Sequence, residues 1–437
     1  MKNITIIGAG LAGSEAAWQA VQRGCKVTLY DMKPHNYSPA HSSPGLAELV
    51  CSNSFRSNDV TSAVGLLKEE MRKCNSLIMK TAFECEVPAG KALAVNRDQF
   101  SAKITETLEQ HPDITIVREE ITEFPDDPDT IVILATGPLT SPKLTEALIK
   151  LTGRDRLAFY DAIAPIVNAD SLDMDIIYRK SRYDDGPGDY LNCPMDEEQY
   201  TTFITELANA QYVPLKDFEN PKYFEGCLPI EIIRSRGDET LRFGPMKPVG
   251  LPDPRTGNDP HAVVQLRMEN REGTTYNMVG FQTKLTYGEQ KRIFRMIPGM
   301  ENAEFERFGS IHRNTFICAP EILTPGLEFT SRPNMLLAGQ LSGVEGYVES
   351  AAMGLLAGIN AARKALEQET PAPPPTTALG ALINHLTMSE AKNFQPSNVN
   401  FGLFPAWKKK VPKRFRGQMR AETGLADLEN WMKENSI

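Results

Sequence analysis

Apolar residues in the first third of the chain fall in short unbroken runs, each set off by turn-forming residues and followed by a helical repeat. Ile4-Thr5-Ile6-Ile7 is β-branched throughout, which suits a parallel strand buried on both faces. A glycine turn follows, then a helix over 14–23 that Gly24 ends, and Lys26 to Tyr30 reads as a second strand. The first 31 residues therefore predict a β-α-β unit. Residues 32–58, rich in Pro, Ser, His and Asn, predict a long functional loop. Val60 to Cys74 is amphipathic and helical, and Asn96 with Gln99 predicts a capping box opening a helix over 97–110. Residues 114–117 and 130–135 read as two further strands. From about 160 to 320 prolines and glycines recur, and strand-like pieces mix with short helices such as 196–209. That change predicts an inserted α+β domain. Residues 334–338 return to the first pattern and lead through glycines into an Ala-rich helix over 349–366. The proline-rich run 371–375 predicts a stiff linker before a short helical tail.

Gly8-Ala9-Gly10-Leu11-Ala12-Gly13 stands between the first strand and helix. In a dinucleotide fold the first glycine permits the tight turn and the second lets a pyrophosphate approach the backbone. The third lets helix and strand pack closely, while the helix N-terminus faces the phosphates. Asp31, ending the second strand, is placed to accept hydrogen bonds from a ribose. A bland glycine-rich turn is the competing reading. Two further segments favour FAD over NAD. One is the strand running into Ala135-Thr136-Gly137; the other is Gly339-Gln340 leading to Gly343, Glu345 and Gly346 before a helix. Both resemble the flavin-contacting segments of glutathione-reductase-like flavoproteins, in which a helix N-terminus near the ring favours negative charge on reduced flavin. The expected fold is α/β: a glutathione-reductase-like FAD-binding Rossmann fold with an inserted α+β domain. Its expected division is 1–160 and 321–370 for FAD, 161–320 for the insert, and 371–437 for linker and basic tail.

Composition changes this picture little. The 437 residues include 47 basic and 56 acidic side chains, a net charge of −9, which disfavours coating nucleic acid or anionic membrane through bulk charge. No apolar stretch is long enough to span a membrane, the amino end lacks a signal-peptide pattern, and a cytoplasmic protein is expected. The seven cysteines are an odd number without a C-x-x-C pair, so neither a disulfide framework nor a metal site is expected. Five have neighbourhoods typical of buried, inert thiols. Cys51, in the polar loop Glu48 to Arg56, and Cys227, soon followed by Arg234 and Arg236, lie near cations that favour a thiolate.

The segments GAGLAGSEAAWQ (8–19), PAHSSPGLAELVCSNSFRSN (39–58), VNRDQFS (95–101), FEGCLPIE (224–231), LRFGPMKPVGL (241–251), HRNTFI (312–317), LAGQLSGVEGYVESAAMGLLAGINAAR (337–363) and NFGLFPAW (400–407) resemble the folate- and FAD-dependent tRNA (uracil-5-)-methyltransferase family. That family is related to the longer glucose-inhibited-division-type tRNA-modifying flavoproteins. The resemblance covers nearly the whole chain. It implies methylation of carbon 5 of the uracil at position 54 in the tRNA T-loop. The carbon comes from 5,10-methylenetetrahydrofolate, and NAD(P)H acting through FAD is the reductant. Carbon 5 is a poor nucleophile until a thiolate adds to carbon 6, and formaldehyde-level carbon needs one more hydride to become methyl. Cys227 is then the expected nucleophile, and Cys51 a second catalytic thiol acting on the flavin-bound carbon or the carbon 5 proton.

His312 is a candidate to stack on pterin or flavin, or else a loop histidine satisfied by backbone; His41 is a similar candidate. Lys247 reads as a folate or RNA contact, or as a solvated lysine. For tRNA, the expected contacts are Arg234 and Arg236 near Cys227, with Arg242 in the same cluster, and the tail residues Lys408, Lys409, Lys410, Lys413, Arg414, Arg416 and Arg420. Trp407 and Phe415 are interleaved there for base stacking, against the alternative of an ordinary basic helix packed on the body. The expected target base is flipped out of its loop. Other readings are the same chemistry on ribosomal RNA, an FAD oxidoreductase acting on a small metabolite, and an RNA-folding helper. Oligomeric state is not legible.

Overall fold

The computed structural model describes residues 3–153, 157–183, 186, 188–214, 223, 227–407 and 411–437, with backbone alone at 157–160. Strand β1 (Ile4–Ile7), helix α1 (Leu11–Val21) and strand β2 (Val27–Tyr30) form the expected unit. They belong to a six-stranded sheet ordered Glu328–Phe329, Arg332–Leu337, Ile131–Leu134, β1, β2, Ile114–Val117. Every neighbouring pair is parallel except the edge hairpin Glu328–Phe329 with Arg332–Leu337. The central strands read Ile-Thr-Ile-Ile and Ile-Val-Ile-Leu because helices cover both faces and leave few polar positions to fill. The Ala-rich helix Tyr347–Ala365 crosses α1 closely. An added Cβ at Gly354 would lie 2.2 Å from the Ala12 carbonyl oxygen, and one at Gly358 2.5 Å from that of Ala16. Backbone contact of this kind needs glycine.

A second core lies on an antiparallel sheet ordered Tyr178–Arg179, Tyr190–Met195, Ala262–Met268, Thr275–Met278, Ile166–Asn168, Phe305–Arg307. Helix Glu197–Ala208 packs Tyr200, Phe203, Ile204 and Leu207 into it and begins with a reciprocal Asp196–Gln199 capping box. The antiparallel ribbon Leu157–Ile163 with Ser310–Phe316 connects the two cores and sets Asp161 directly opposite His312.

Three expectations are corrected. The loop over 32–58 ends in a strand, Ser54–Ser57, which pairs with Ala92–Val95. Buried Asn53 just before it is held by the carbonyls of Val95 and Met268, long-range bonds that a local reading lacks. Residues 371–437 are also more than linker and tail. Helix Ala378–Met388 buries Leu379, Leu382, Ile383 and Leu386 in the first core, which Leu428 and Trp431 of helix Arg416–Asn435 join. The carboxylate of Glu70 accepts the Ala378 and Leu379 N–H groups at 2.7 and 2.9 Å, tying the segment down. The i, i+3, i+4, i+7 spacing of those four apolar residues is the signal that the proline run obscures. Near Asn96 only the forward half of the expected box is present: its side chain accepts from the Gln99 N–H at 3.1 Å.

Candidate active site

A cavity of about 450 Å³ lies between the two cores. One end is lined by Gly8 to Ala12, Asp31, Ala135, Thr136, Gly137, Gly339, Gln340, Glu345 and Gly346, which gathers most of the expected cofactor residues. Gly8 has φ +100°, and a side chain there would meet the Ala135 carbonyl at 2.6 Å. Gly13 does not line the cavity; it sits behind, where an added Cβ would be 1.7 Å from the Gly8 oxygen. Gly10 is the opposite case, with nothing within 4 Å of its missing Cβ, so the backbone is open to a phosphate. Asp31 accepts from the Lys33 N–H at 2.9 Å, and burial raises its pKa. Ser141 Oγ and Asn277 Nδ2, both in the cavity wall, are buried without a protein partner. An open glycine cradle, an acid at the end of β2 and polar atoms waiting for a ligand fit a dinucleotide such as FAD. Gly343 is a correction. It does not line the cavity, and with φ +102° it turns the chain past Phe394.

At the other end Cys51 and Cys227 meet. Both line the cavity, close enough that Cys51 is the largest influence on the Cys227 thiol. The Cys51 loop is held from several directions. Tyr347, the first residue of the long helix, accepts the backbone N–H groups of Cys51 and Ser52 on its Oη at 2.7 and 3.1 Å. Arg267 of the antiparallel sheet donates to Ser52 Oγ at 2.9 Å and Asn53 Oδ1 at 3.0 Å. Arg97 donates to the Leu49 carbonyl at 2.8 Å and pairs with Glu269 at 2.7 Å. Cys227 lies just ahead of helix Ile230–Ser235, whose first N–H bonds the cavity-wall residue Gln282 at 2.8 Å.

This end is acidic. Asp161 lines the cavity with Cys227, and its Oδ2 accepts from Asn314 Nδ2 at 3.3 Å. Burial pushes Asp161 up to about 6. Burial, with the Asp161 charge nearby, raises Glu345 well above the carboxylate range, although Gln340 donates to it at 2.6 Å. Cys51, then burial, then the Asp161 charge raise the Cys227 thiol well above its ordinary value. Burial also raises the Tyr347 phenol.

His312 and His41 both line the cavity. Each ring is hydrogen-bonded to a serine hydroxyl: Ser310 Oγ lies 2.9 Å from His312 Nε2, and Ser38 Oγ 2.5 Å from His41 Nδ1. Burial lowers both pKa values, that of His41 to about 4. Lys247 is half-buried and outside the cavity lining. Arg234 pairs with Asp238 at 3.0 Å, and Arg242 pairs with Glu239 and donates to the His261 carbonyl, while Arg236 is exposed. In the tail Lys413, Arg414 and Arg416 are exposed, whereas Lys408, Lys409 and Lys410 lie outside the described residues. Arg420 is a correction: it is buried, 4.0 Å from the Trp407 ring centroid, and bonds the Pro405 carbonyl. That stacking closes the chain on itself and takes Arg420 out of any phosphate surface.

Asp161, Tyr347 and Arg267 are site residues that the sequence reading passes over. Asp161 carries a visible signal, an acid inside the otherwise apolar run Leu157 to Ile163. Tyr347 and Arg267 carry none, because their partners lie in distant segments.

The sequence family described as glucose inhibited division protein A matches residues 3–369. The chain is 71% identical over 437 residues to the methylenetetrahydrofolate–tRNA-(uracil-5-)-methyltransferase TrmFO of Desulfotalea psychrophila, covering 100% of this chain and 98% of that protein. The protein of the same name from Geobacter sulfurreducens is 58% identical over 430 residues, 98% of each chain. Among solved structures, Aquifex aeolicus GidA in its form I crystal superposes with a TM-score of 0.71 at 16% identity, covering 99% of this chain and 76% of that one. At that identity the likeness bears on the fold.

Proposed function

The chain belongs to the family described as glucose inhibited division protein A and, within it, to the folate- and FAD-dependent tRNA (uracil-5-)-methyltransferases, and from that premise we propose how its cavity works. It is an FAD-dependent enzyme that methylates carbon 5 of a tRNA uracil with carbon from methylenetetrahydrofolate. We place the target at position 54 of the T-loop, take NAD(P)H as the reductant, and expect the enzyme in the cytoplasm. In this reading residues 1–160 and 321–370 hold FAD, 161–320 receive the substrates, and 371–437 brace the FAD half and present Lys413, Arg414 and Arg416 to RNA.

Gly8 to Ala12, Asp31, Ala135 to Gly137 and the turn at Gly339 to Gly346 would hold FAD, which when bound supplies the hydride that takes the carbon to the methyl level. Cys227 adds through sulfur to carbon 6 of a flipped uracil and makes carbon 5 nucleophilic. Cys51, lining the same cavity as Cys227, is placed to take the carbon 5 proton. The N-terminus of helix Tyr347–Ala365 turns its N–H groups toward the same space, where developing negative charge is favoured. His312 and His41, neutral in their buried setting, offer flat faces for a ring to stack on.

The observation that carries this reading is the meeting of Cys51 and Cys227 in one cavity with the glycine cradle. The test supplies labelled methylenetetrahydrofolate, NAD(P)H and unmodified tRNA. Label is expected in 5-methyluridine at the T-loop position, and absent with Cys227→Ala or Cys51→Ala. Full turnover by either variant removes that residue from the mechanism. Label entering only from S-adenosylmethionine overturns the reading.

A further inference from the structure

Addition of sulfur to carbon 6 requires that the Cys227 thiol lose its proton, and its surroundings resist that loss. Cys51, burial, and the Asp161 and Glu345 carboxylates all oppose a thiolate. The arginines on the cavity wall do not relieve this, because Arg267 is committed to Ser52 and Asn53 and Arg56 is paired with Glu349. A proton acceptor in contact with the sulfur would. Asp161 is the candidate the geometry offers: it lines the same cavity as Cys227, each group shifts the other's proton affinity, and Asn314 aims it from the facing strand. Its Oδ1 is buried and makes no hydrogen bond within the protein, leaving room for a proton in transit. Nucleophile, base and orienting amide thus stand in sequence.

Resting on the reading above, we propose that Asp161 is the general base for Cys227. As the sulfur–carbon 6 bond forms, the S–H bond breaks and the proton passes to the Asp161 carboxylate, while the carbon 5–carbon 6 π pair shifts to a carbon 4–carbon 5 enolate with its negative charge on the carbon 4 oxygen. After methylation and loss of the carbon 5 proton, the carbon 6–sulfur pair returns to sulfur. Asp161 then gives its proton back, so the residue ends as it began and no further reactant is consumed. The groups facing Asp161 are Cys51, Cys227 and Glu345 across the cavity, and His312 and Asn314 on the partner strand. Burial, then the Asp161 charge, raises Glu345, while a carboxyl near 6 such as Asp161 is mostly ionised at neutral pH.

The test uses Asp161→Asn in the full-length, flavin-loaded enzyme. General-base catalysis is worth about 100- to 10,000-fold, so single-turnover methylation should fall by that factor with flavin content unchanged. Iodoacetamide labelling of Cys227, read peptide by peptide in mass spectra against pH, should shift the opposite way. Without the carboxylate charge the thiolate forms at lower pH. Methylation and thiol reactivity rising together, or methylation within about threefold of wild type, overturns the proposal. Should Asp161→Asn fail to fold, the wild-type enzyme still decides. Its single-turnover rate must rise with pH through about 6, and a flat profile there overturns the proposal. A wild type that transfers label from the folate while failing these tests removes only the base. A wild type that transfers none removes the functional reading itself.

Discussion

At its dinucleotide end the cavity is walled by main chain. Gly8 and Gly10 line it, Gly13 packs behind them, and the walls facing them, at Ala135 to Gly137 and Gly339, are again backbone. At its thiol end the wall is made of long side chains from distant segments: Tyr347 and Arg267 hold the Cys51 loop, and Asp161 faces Cys227. The first construction recognises a ligand common to many enzymes, whose phosphates need only N–H groups and space. The second must fix two sulfurs relative to one substrate carbon frame, which needs side chains of defined length and charge. The difference teaches that binding and chemistry fail in different ways here.

The glycines give the sharpest test. Gly13→Ala puts a methyl group 1.7 Å from the Gly8 carbonyl, and neither backbone can move without breaking the β1–α1 junction. A loss of about 3 kcal/mol in stability, with flavin lost, is expected from overpacking at such a contact. Gly10→Ala meets nothing within 4 Å, so the fold should keep its melting temperature while flavin affinity falls. Thermal melting of flavin-free protein beside flavin absorbance per chain separates the two. Equal loss of stability in both variants would break the view that this end is backbone packing plus open space.

Tyr347→Phe probes the other end. It keeps the ring but strips the acceptor from the Cys51 and Ser52 N–H groups, and leaving a buried donor unsatisfied costs about 1–3 kcal/mol. The Cys51 loop should then relax, and a displacement near 1 Å at a reacting group lowers turnover about 100-fold. Flavin content should hold, because the glycine cradle is untouched. Flavin lost in step with turnover would mean that the two ends are not independent.

The same contrast governs what the sequence makes legible. The β1–α1–β2 unit, Asp31 and the strand at 131–134 are local: their periodicity and glycine spacing lie within a few residues of one another. Cys51 and Cys227 stood out by their neighbours, and the structure brings them together. What local pattern does not carry is the clamp around them. Asn53 is bonded to Val95 and Met268, Ser52 to Arg267, and Cys51 to Tyr347, each pairing set by how the two cores dock. The apolar spacing of helix Ala378–Met388 is present in the sequence, but the proline run before it points only to a linker and a short helical tail. Arg420 was misjudged because charge along a sequence does not say which side chain stacks on Trp407.

That C-terminal helix supplies the smallest expected effect and the control for the others. Thr377 caps it, its Oγ1 accepting the Gly380 N–H at 2.8 Å, and it takes no part in the cavity wall. Thr377→Ala should cost about 1 kcal/mol, the usual price of a lost N-cap. Glu70 still accepts the Ala378 and Leu379 N–H groups, so the helix start keeps two of its bonds and should stay docked. The melting temperature should fall slightly, while flavin content, turnover and the pH profile stay as in wild type. If turnover falls instead, the segment reaches the chemistry through Leu386 and Phe394, which pack against Gly343 at the turn before Glu345 and Tyr347. The two ends of the cavity would then share a support, and the separate losses expected from Gly10→Ala and Tyr347→Phe would appear together.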